Sequence, residues 1–509
     1  MIEIKLKLNY GYKWYEENYI YVKGYAFIDK DILLEKETLV DYFKNIKSNE
    51  DFENRVKSLS GCYSIIVNDS DKVYATVDRT RTFPLFYSKF NGEFYLSDDT
   101  FYLKDKINAN KINEDSVNDF LATGYVTGNE TILENVFQIQ SSEYITYQAD
   151  CLSTKMYFKY IPKLLNDASY EDLSDQFLNI LEKMAKRMIK YANGKQIVLP
   201  LSGGYDSRLI ATLLRKYKYD NVLCYTYGST DSYEVSISKQ VAKKLNFRWI
   251  FVEYTETIIP SDFTKDKLFL KFSEFAFNYS SKMSMQDYFA VKYLYENKIV
   301  DKDSIFIPGH SGDFLGGSHF SKLPQDTIDV VDLIIKKHYV LNKVNFNKNK
   351  IINLIKSEKT EFIYALEENW NMKERQSKHI VNSLRNYEFF GYKHMIPLWD
   401  LELVNFFKNL PVKYKINSKF YQDILFNKIF LPYNIDIQQP IPKDNLLKKI
   451  IRPFIPDFVR EYRSKRLFDN KNKHSLIVQS FLNELDMDLH AKDSNAIIAL
   501  WDIKKIRKI

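Results

Sequence analysis

The sequence predicts a two-domain α/β protein, and three observations support this. Its 509 residues exceed what one hydrophobic core usually organises, and 45% of them are apolar, enough for packed domains. The first part, to about residue 155, has closely spaced strand patterns and turn residues. From Gln196 onward strands and helices alternate, which is typical of a parallel sheet with helices on both faces.

The first part reads as a β-rich domain. Asn91-Gly92 separates two strand patterns and is a strong hairpin signal. We expect strands over 61–67, 72–77, 86–90, 94–97 and 143–147, the last closing the region, and a helix over 114–122.

Residues 161–172 read as a linker to a second domain, which begins with a helix over 173–191. Strands are expected over 196–201, 221–227, 247–252 and 304–307, and helices over 207–217, 232–245 and 286–297, before a mainly helical remainder. Ligands of such parallel sheets bind beyond the carboxyl ends of the strands, so the loops there are the candidates for a site.

Charge and cysteine content narrow the function classes. The net charge of +7 is modest for this length and argues against a nucleic-acid partner. A segment from Lys443 to Lys473, with ten Lys/Arg against four Asp/Glu, is read as a solvated face, with an anionic substrate, carrier or membrane surface as the alternative. Three unpaired cysteines and the lack of an apolar span predict a soluble, cytoplasmic protein, leaving peripheral membrane contact and oligomerisation open.

The strongest motif is the loop Ser202-Gly203-Gly204-Tyr205-Asp206-Ser207, between an apolar strand and a helix. Its glycines allow close backbone approach to a ligand, and the N–H groups at the helix start favour phosphate oxygens. It lacks the lysine of a Walker A loop and offers the carboxylate of Asp206, where a metal that bridges phosphates needs an oxygen ligand. The alternative is a glycine-rich turn without a ligand.

This loop resembles the pyrophosphate loop of the asparagine synthetase family, which includes β-lactam synthetases and lasso-peptide cyclases. Further segments resemble family motifs in the same order, so the resemblance covers nearly the whole chain. They are residues 61–67, 78–79, 84–87, 96–97, 120–126, 131–132, 225–228, Glu234, 311–317, 397–400, Leu403 and 410–411.

The resemblance implies a fold and a site. Residues 1–160 would form a degenerate glutaminase-like domain of the N-terminal-nucleophile type, with helices outside two sheets (αββα). Residues 173–509 would form an adenine-nucleotide α-hydrolase-like ATP-pyrophosphatase, the synthetase domain. Asp206 and Asp313 would hold Mg²⁺, and ATP would contact Leu201, Ser202, Gly203, Gly204, Asp206, Ser207, Tyr225, Tyr227, Gly228, Ser311 and Gly312.

The sequence departs from the family at two places. Residue 2 is Ile, not the nucleophilic Cys of glutamine-hydrolysing members, and we expect Cys62 to be a buried residue and glutaminase activity to be absent. Lys393 and Met395 stand where the family has Glu and Arg, so either the acid–base role passes to Glu388, Tyr392 or His394, or the substrate differs and Lys393 meets its carboxylate or phosphate. Lys393, Glu388 and Lys443 are the candidate catalytic residues. Glu388 is equally an ordinary helix residue; Lys443 corresponds loosely to a lysine that steadies the adenylate.

The resemblance therefore implies an ATP-dependent, AMP- and pyrophosphate-forming amide ligase. It would adenylate a carboxylate of a small molecule, peptide or sugar for attack by ammonia or an amine, the nitrogen coming free or from a partner protein. The alternative is a catalytically altered homologue that binds a nucleotide or a partner in a glycan or peptide assembly pathway.

Overall fold

The computed structural model describes residues 2–69, 71–320, 323–438, 476–486 and 494–507. Its strands are β1 (Ile2–Lys5), β2 (Tyr15–Glu17), β3 (Ile20–Ile28), β4 (Ile32–Glu35), β5 (Ser60–Asp69), β6 (Lys72–Val77), β7 (Phe86–Phe90), β8 (Glu93–Ser97), β9 (Phe137–Gln138), β10 (Glu143–Gln148), β11 (Cys151–Met156), β12 (Ile197–Pro200), β13 (Val222–Gly228), β14 (Arg248–Glu253), β15 (Ile305–Phe306) and β16 (Lys393–His394).

Its α-helices are α1 (Lys36–Phe43), α2 (Asn49–Ser58), α3 (Thr100–Lys106), α4 (Glu114–Thr123), α5 (Tyr170–Ala192), α6 (Tyr205–Lys216), α7 (Tyr233–Lys244), α8 (Lys267–Phe277), α9 (Tyr288–Glu296), α10 (Gly312–Gly316), α11 (Thr327–His338), α12 (Lys348–Lys356), α13 (Ile363–Asn371), α14 (Arg385–Phe389), α15 (Leu401–Asn409), α16 (Val412–Lys415), α17 (Lys419–Ile424), α18 (Leu476–Leu485) and α19 (Ser494–Arg507). Two π-helical turns cover Met372–Ile380 and Leu425–Phe430. No helix in the described ranges is long and apolar enough to cross a membrane.

The first part consists of two sheets between two helical layers. A seven-stranded sheet has the order β11-β10-β6-β5-β3-β2, with β4 paired to β3, and a four-stranded sheet has the order β1-β8-β7-β9. Ile66 and Val77 of the larger sheet share a core with Tyr87 and Leu96 of the smaller one. On the outer faces, α1 and α2 pack on the larger sheet, and α3 and α4 on the smaller.

The hairpin predicted at Asn91-Gly92 is confirmed. Strands β7 and β8 are antiparallel, and both turn residues have positive φ, +51° for Asn91 and +76° for Gly92, as a two-residue hairpin turn requires. The region does not close at residue 147, however. A second turn, with positive φ at Ala149 and Asp150, leads into the edge strand β11.

The second part contains a parallel five-stranded sheet of order β14-β13-β12-β15-β16, which confirms the parallel sheet expected from strand–helix alternation. Strand β12 is central, so the loop after it lies at the middle of the carboxyl edge. The short edge strand β16, which begins at Lys393, was missed because two residues leave no periodic pattern. Tyr12, Tyr25 and Cys62 of the first part belong to the same hydrophobic cluster as the sheet, so the two parts meet in one core.

Candidate nucleotide site

The loop from Ser202 to Ser207 connects the central strand β12 to α6. The Ser202 N–H donates to the Ser207 hydroxyl oxygen at 3.2 Å, and the Gly204 N–H donates to the Ser202 hydroxyl oxygen at 3.1 Å. Gly204 is the N-cap of α6, and no side chain among the described residues caps this helix. The first-turn N–H groups, with the helix dipole behind them, therefore point into the loop and suit a phosphate group.

Asp206 and Asp313 come together at this edge. The Asp313 N–H donates to Asp206 Oδ2 at 2.9 Å, and the Tyr421 hydroxyl donates to Asp206 Oδ1 at 2.9 Å. Burial, and then the negative charge of Asp313, raise the pKa of Asp206 to about 7. The Asp313 side chain is exposed to solvent.

These two carboxylates fit a magnesium ion. Mg²⁺ is commonly held by one or two carboxylates together with phosphate oxygens and water, and here two acidic groups from different strand ends repel each other until a cation neutralises them. The described residues contain no cluster of three or more His, Cys, Asp or Glu able to hold a metal by themselves, so the remaining ligands would be phosphates and water.

Glycines allow the two loops to touch. A Cβ on Gly312 would lie 2.5 Å from the Tyr421 hydroxyl oxygen and 2.7 Å from Asp206 Oδ1, and a Cβ on Gly309 would overlap the backbone of Ser207. Ser311 between them has a φ of +73°, and its hydroxyl donates to Gln376 Oε1 at 2.7 Å, which holds this unfavourable conformation. Ser311 is buried, so its hydroxyl serves the fold.

The strand-end residues predicted to line the adenosine side offer backbone more than side chains. The Leu201 N–H donates to the Tyr225 carbonyl at 2.8 Å. The buried Tyr225 hydroxyl donates to Asp287 at 3.0 Å, and Tyr387 donates to the same carboxylate at 2.5 Å. Tyr227 stacks on Tyr254 at 5.3 Å between ring centroids.

Gly228, which follows Tyr227 at the end of β13, has a φ of +119°, and a Cβ built there would meet no atom within 4 Å among the described residues. Tyr227 and Gly228 therefore form an open, partly aromatic edge beside the loop.

Three residues near the loop were missed from sequence. Asp287 is buried beneath Tyr225, and burial raises its pKa to about 6 although two tyrosines donate to it. Arg208 donates to the Gly203 carbonyl at 3.1 Å and to the Ile435 and Ile437 carbonyls at 2.9 and 2.6 Å, which ties the loop to a distant segment. Arg208 could have been identified from its position directly after Ser207, whereas no local sequence pattern marks Asp287.

The third missed residue is His310, adjacent to Ser311. Its Nε2 lies 3.3 Å from the Ser383 hydroxyl, and its buried Nδ1 has no hydrogen-bond partner among the described residues. Burial, with a smaller effect of His394, lowers the pKa of His310 to about 4, so the imidazole is neutral at pH 7.

Lys393 and Glu388 lie at the contact between the two parts of the chain. Lys393 Nζ is 3.1 Å from Glu35 Oε1 on β4 and stands over the rings of Tyr12 and Tyr191. Its ammonium group therefore contacts both the first part and α5 of the second part. None of these contacts of Lys393 is with Asp206 or Asp313, so they do not support the catalytic role predicted for it.

Glu388 is fully buried and contacts Arg385 at 3.0 Å and His394 at 3.2 Å. Burial raises the pKa of Glu388, but Arg385 and His394 outweigh it and the net shift is downward. Glu388 is thus a paired carboxylate of the interior. Lys443 and the basic segment to Lys473 lie outside the described residues.

Cys62 was expected to be buried, and it is. It is 1% exposed on β5, and the Tyr25 hydroxyl donates to its sulfur at 3.7 Å. Burial, with the negative charge of Asp78, raises the pKa of its thiol well above the usual range, which disfavours the thiolate that a nucleophile needs.

Comparison with known proteins identifies one domain. Residues 37–158 match the family described as a glutamine amidotransferase domain. The match covers less than half of the chain, so it relates only the first part of this chain to that family. No curated protein matches over the sequence.

Among solved structures, the NH₃-dependent NAD synthetase from Campylobacter jejuni is 14% identical with a TM-score of 0.22, covering 42% of this chain and 97% of that one. An NMN synthetase from Francisella tularensis gives the same values. The glutamine phosphoribosylpyrophosphate amidotransferase from B. subtilis, complexed with ADP and GMP, is 7% identical with a TM-score of 0.20, covering 58% of this chain and 63% of that one. Similarity at this level does not by itself define a function.

Proposed function

We propose that this protein is an ATP-dependent, AMP-forming ligase, related to asparagine synthetases but without glutamine hydrolysis. The observation that carries the proposal is the meeting of Asp206 and Asp313, through a 2.9 Å hydrogen bond, in front of the uncapped start of α6. A helix N-terminus and two carboxylates at the carboxyl edge of a parallel sheet suit a magnesium–triphosphate substrate.

In the first half-reaction, a carboxylate oxygen of the substrate attacks the α-phosphorus of ATP, and the bond from that phosphorus to pyrophosphate breaks. The products are an acyl adenylate and pyrophosphate. The N–H groups of the Ser202–Ser207 loop would bind the pyrophosphate oxygens. Asp206 and Asp313 would hold Mg²⁺, which when bound offsets the charge on the leaving group.

In the second half-reaction, ammonia or an amine attacks the acyl carbon, AMP leaves, and the nitrogen loses a proton. The proton passes to solvent, because a pKa of about 4 makes His310 too weak a base to hold it at pH 7. His310 would instead accept a hydrogen bond from the attacking nitrogen, since its Nδ1 is without a partner among the described residues and it lies three residues before Asp313. Lys393 and Glu388 are already paired with Glu35 and with Arg385 and His394, so we assign them to holding the two parts together.

We assign no glutamine hydrolysis to the first part. Its Cys62 is buried and its thiol pKa is raised well above the usual range, which makes this residue unsuited as a nucleophile. The first part, although similar to an amidotransferase domain, would then serve as a structural partner whose contacts with Lys393 and Arg385 orient the sheet edge. Nitrogen would come from free ammonia, a substrate amine or a partner protein.

The test is carboxylate-dependent exchange of pyrophosphate into ATP, measured over a panel of amino acids, uronic acids and peptides. We expect exchange with at least one carboxylate in the wild type, and a fall of about 100-fold or more in Asp206→Asn and Asp313→Asn. Asp303→Asn, at an exposed acid on the loop before β15, is the matched control and should retain exchange. ATP binding without exchange for any carboxylate would support the nucleotide-binding homologue instead.

A further inference from the structure

A large groove lies between the first part of the chain and the helices that follow the sheet. We call it the seam groove: it is formed by residues 156–164 after β11, residues 357–362 after α12, the end of α15, and Lys57 of α2. Its volume is about 990 Å³, within the range of cavities that hold small-molecule ligands. None of its lining residues belongs to the site of Asp206 and Asp313.

The charges in the seam groove are unbalanced. Five lysines and two glutamates line it: Lys57, Lys159, Lys163, Lys359, Lys408, Glu358 and Glu361. Lys57 is neutralised by Glu53 at 2.6 Å, and Lys159 by Glu358 at 2.6 Å. For Lys163, Lys359 and Lys408 the described part of the chain provides no carboxylate within 4.0 Å. Since Glu361 supplies one negative charge against these three lysines, the groove has an excess of two positive charges.

The excess is concentrated around Phe158. Lys408 Nζ lies 4.9 Å from the centre of the Phe158 ring, and the Arg79 guanidinium carbon lies 5.1 Å from the same ring. Arg79 itself donates to the carbonyls of Leu59 and Lys57, so its charge is not cancelled by an acid there. Burial, followed by repulsion from Arg79 and Lys163, lowers the pKa of Lys408. Two cations thus converge on one apolar ring, and Lys163 lies close enough to repel one of them, Lys408.

The walls between these cations are apolar. Phe158, Ile161, Leu164 and Phe362 line the groove, and Leu164 is 79% exposed. Like charges gathered in one groove repel each other, and an anion bound among them would relieve that repulsion. A groove of this size with both features matches a ligand that has negative groups on an uncharged body.

We propose that the seam groove binds an anion of the size of a nucleotide or a short acidic saccharide, with its phosphate or carboxylate groups on Lys163, Lys359 and Lys408 and its uncharged part on Phe158 and Leu164. This site is separate from the nucleotide site and does not depend on the ligase activity. Phosphate and carboxylate are the two chemistries that lysine ammonium groups bind in this way.

The experiment is acetylation of the full-length protein with an amine-specific reagent, followed lysine by lysine by mass spectrometry. The probes are inorganic tripolyphosphate and citrate, compared with sodium chloride at equal ionic strength. At ten times the dissociation constant, acetylation of Lys163, Lys359 and Lys408 should slow about tenfold. Lys186, paired with Glu182 at 2.7 Å on the exposed side of α5, should not change.

Slowing by tripolyphosphate alone would assign a phosphate ligand, and slowing by citrate alone a carboxylate ligand. Unchanged acetylation of the three lysines with both probes at millimolar concentration would overturn the proposal. Site-resolved labelling separates this groove from the Ser202–Ser207 loop, where tripolyphosphate also has a place to bind.

A variant provides the second measurement. Lys163→Gln with Lys408→Met removes two charges and retains an apolar chain over Phe158. Protection of Lys359 by either probe should be lost in this variant and kept in Lys57→Gln, whose lysine lines the same groove but is paired with Glu53. Protection of Lys359 that survives in the double variant would show that the cations around Phe158 do not form the site.

Discussion

The backbone N–H of Asp313 donates to Asp206 Oδ2 at 2.9 Å, so the two carboxylates proposed as magnesium ligands belong to one hydrogen-bonded unit. The loop after β15 is positioned by the acid of the loop after β12. Displacement of either loop therefore moves both candidate ligands. This connection explains why small residues are needed where the loops touch.

The loops also approach closely at Gly312, and Gly312→Ala should lower exchange strongly while the protein still folds. The new methyl group would lie 2.5 Å from the Tyr421 hydroxyl oxygen and 2.7 Å from Asp206 Oδ1, so α10 must move away. A displacement of about 1 Å of catalytic groups commonly lowers activity about 100-fold. Pyrophosphate–ATP exchange and thermal unfolding are the two measurements.

Gly92→Ala is the control for this prediction. Gly92 has a φ of +76°, but a Cβ there meets no atom within 4 Å among the described residues, so the substitution brings backbone strain without a clash. It should lower stability by about 1 kcal/mol and leave exchange intact. Full exchange in Gly312→Ala would show that the structure around α10 can adjust to the added methyl group without displacing the candidate ligands.

Lys393 should matter for the contact between the two parts and not for adenylation. It pairs with Glu35 at 3.1 Å, and both side chains are about one-third exposed, so the pair contributes about 0.5 kcal/mol. Lys393→Gln should change exchange by no more than about twofold. Lys393→Glu should lower stability through repulsion by Glu35, and Glu35→Lys combined with Lys393→Glu should recover it.

A double-mutant cycle on unfolding free energy measures this coupling. A large loss of exchange in Lys393→Gln, at unchanged stability, would return Lys393 to the catalytic site, where the sequence comparison first placed it.

The sequence predicted the parts of this molecule that depend on local pattern. The glycines and acid of the Ser202–Ser207 loop, the hairpin at Asn91-Gly92 and the alternating elements follow from periodicity and turn chemistry. Asp313 was singled out because it lies within a short motif, residues 311–317, that stands in the expected order. The hydrogen bond between Asp313 and Asp206 shows that these two motifs, which are distant in the sequence, lie next to each other in the structure.

What the sequence did not reveal depends on contacts between distant segments. Lys393 is separated from Glu35 by 358 positions, so its orientation could not be read from its neighbours. Asp287 directly precedes α9 and becomes unusual only through Tyr225 and Tyr387. Strands β1, β2 and β4 have only three or four residues each, too few for a periodic pattern, and β1 pairs with the distant β8.

Asp287 should give stability a specific pH dependence. Burial raises its folded-state pKa from 3.8 to about 6, so the folded protein binds the proton more tightly than the unfolded chain. For an acid with a raised pKa, this contribution is complete below pH 4 and is lost as the pH rises to about 6. Asp287→Asn removes it, so the variant should gain up to about 3 kcal/mol relative to the wild type between pH 4 and 7.

Urea denaturation of both proteins across this range is the measurement for Asp287. The exposed Asp303→Asn should give a curve parallel to that of the wild type. Parallel curves for Asp287→Asn and the wild type would show that the two tyrosine hydroxyls stabilise the carboxylate enough to cancel the effect of burial.

His310 should act in amide formation and not in adenylation. Its neutral imidazole has a buried Nδ1 without a partner among the described residues, beside the segment that carries Asp313, and can accept a hydrogen bond that orients the attacking nitrogen. With the carboxylate that the exchange panel identifies and ammonia as nucleophile, His310→Gln should retain exchange and lower amide formation about 100-fold.

Because its pKa of about 4 leaves it neutral above pH 5, titration of His310 should not change the wild-type rate between pH 6 and 8. Ser383→Ala, which removes the hydroxyl 3.3 Å from Nε2 and keeps the imidazole, should have the smaller effect. An equal loss of exchange and amide formation in His310→Gln would instead assign His310 to the packing of the Asp313 loop.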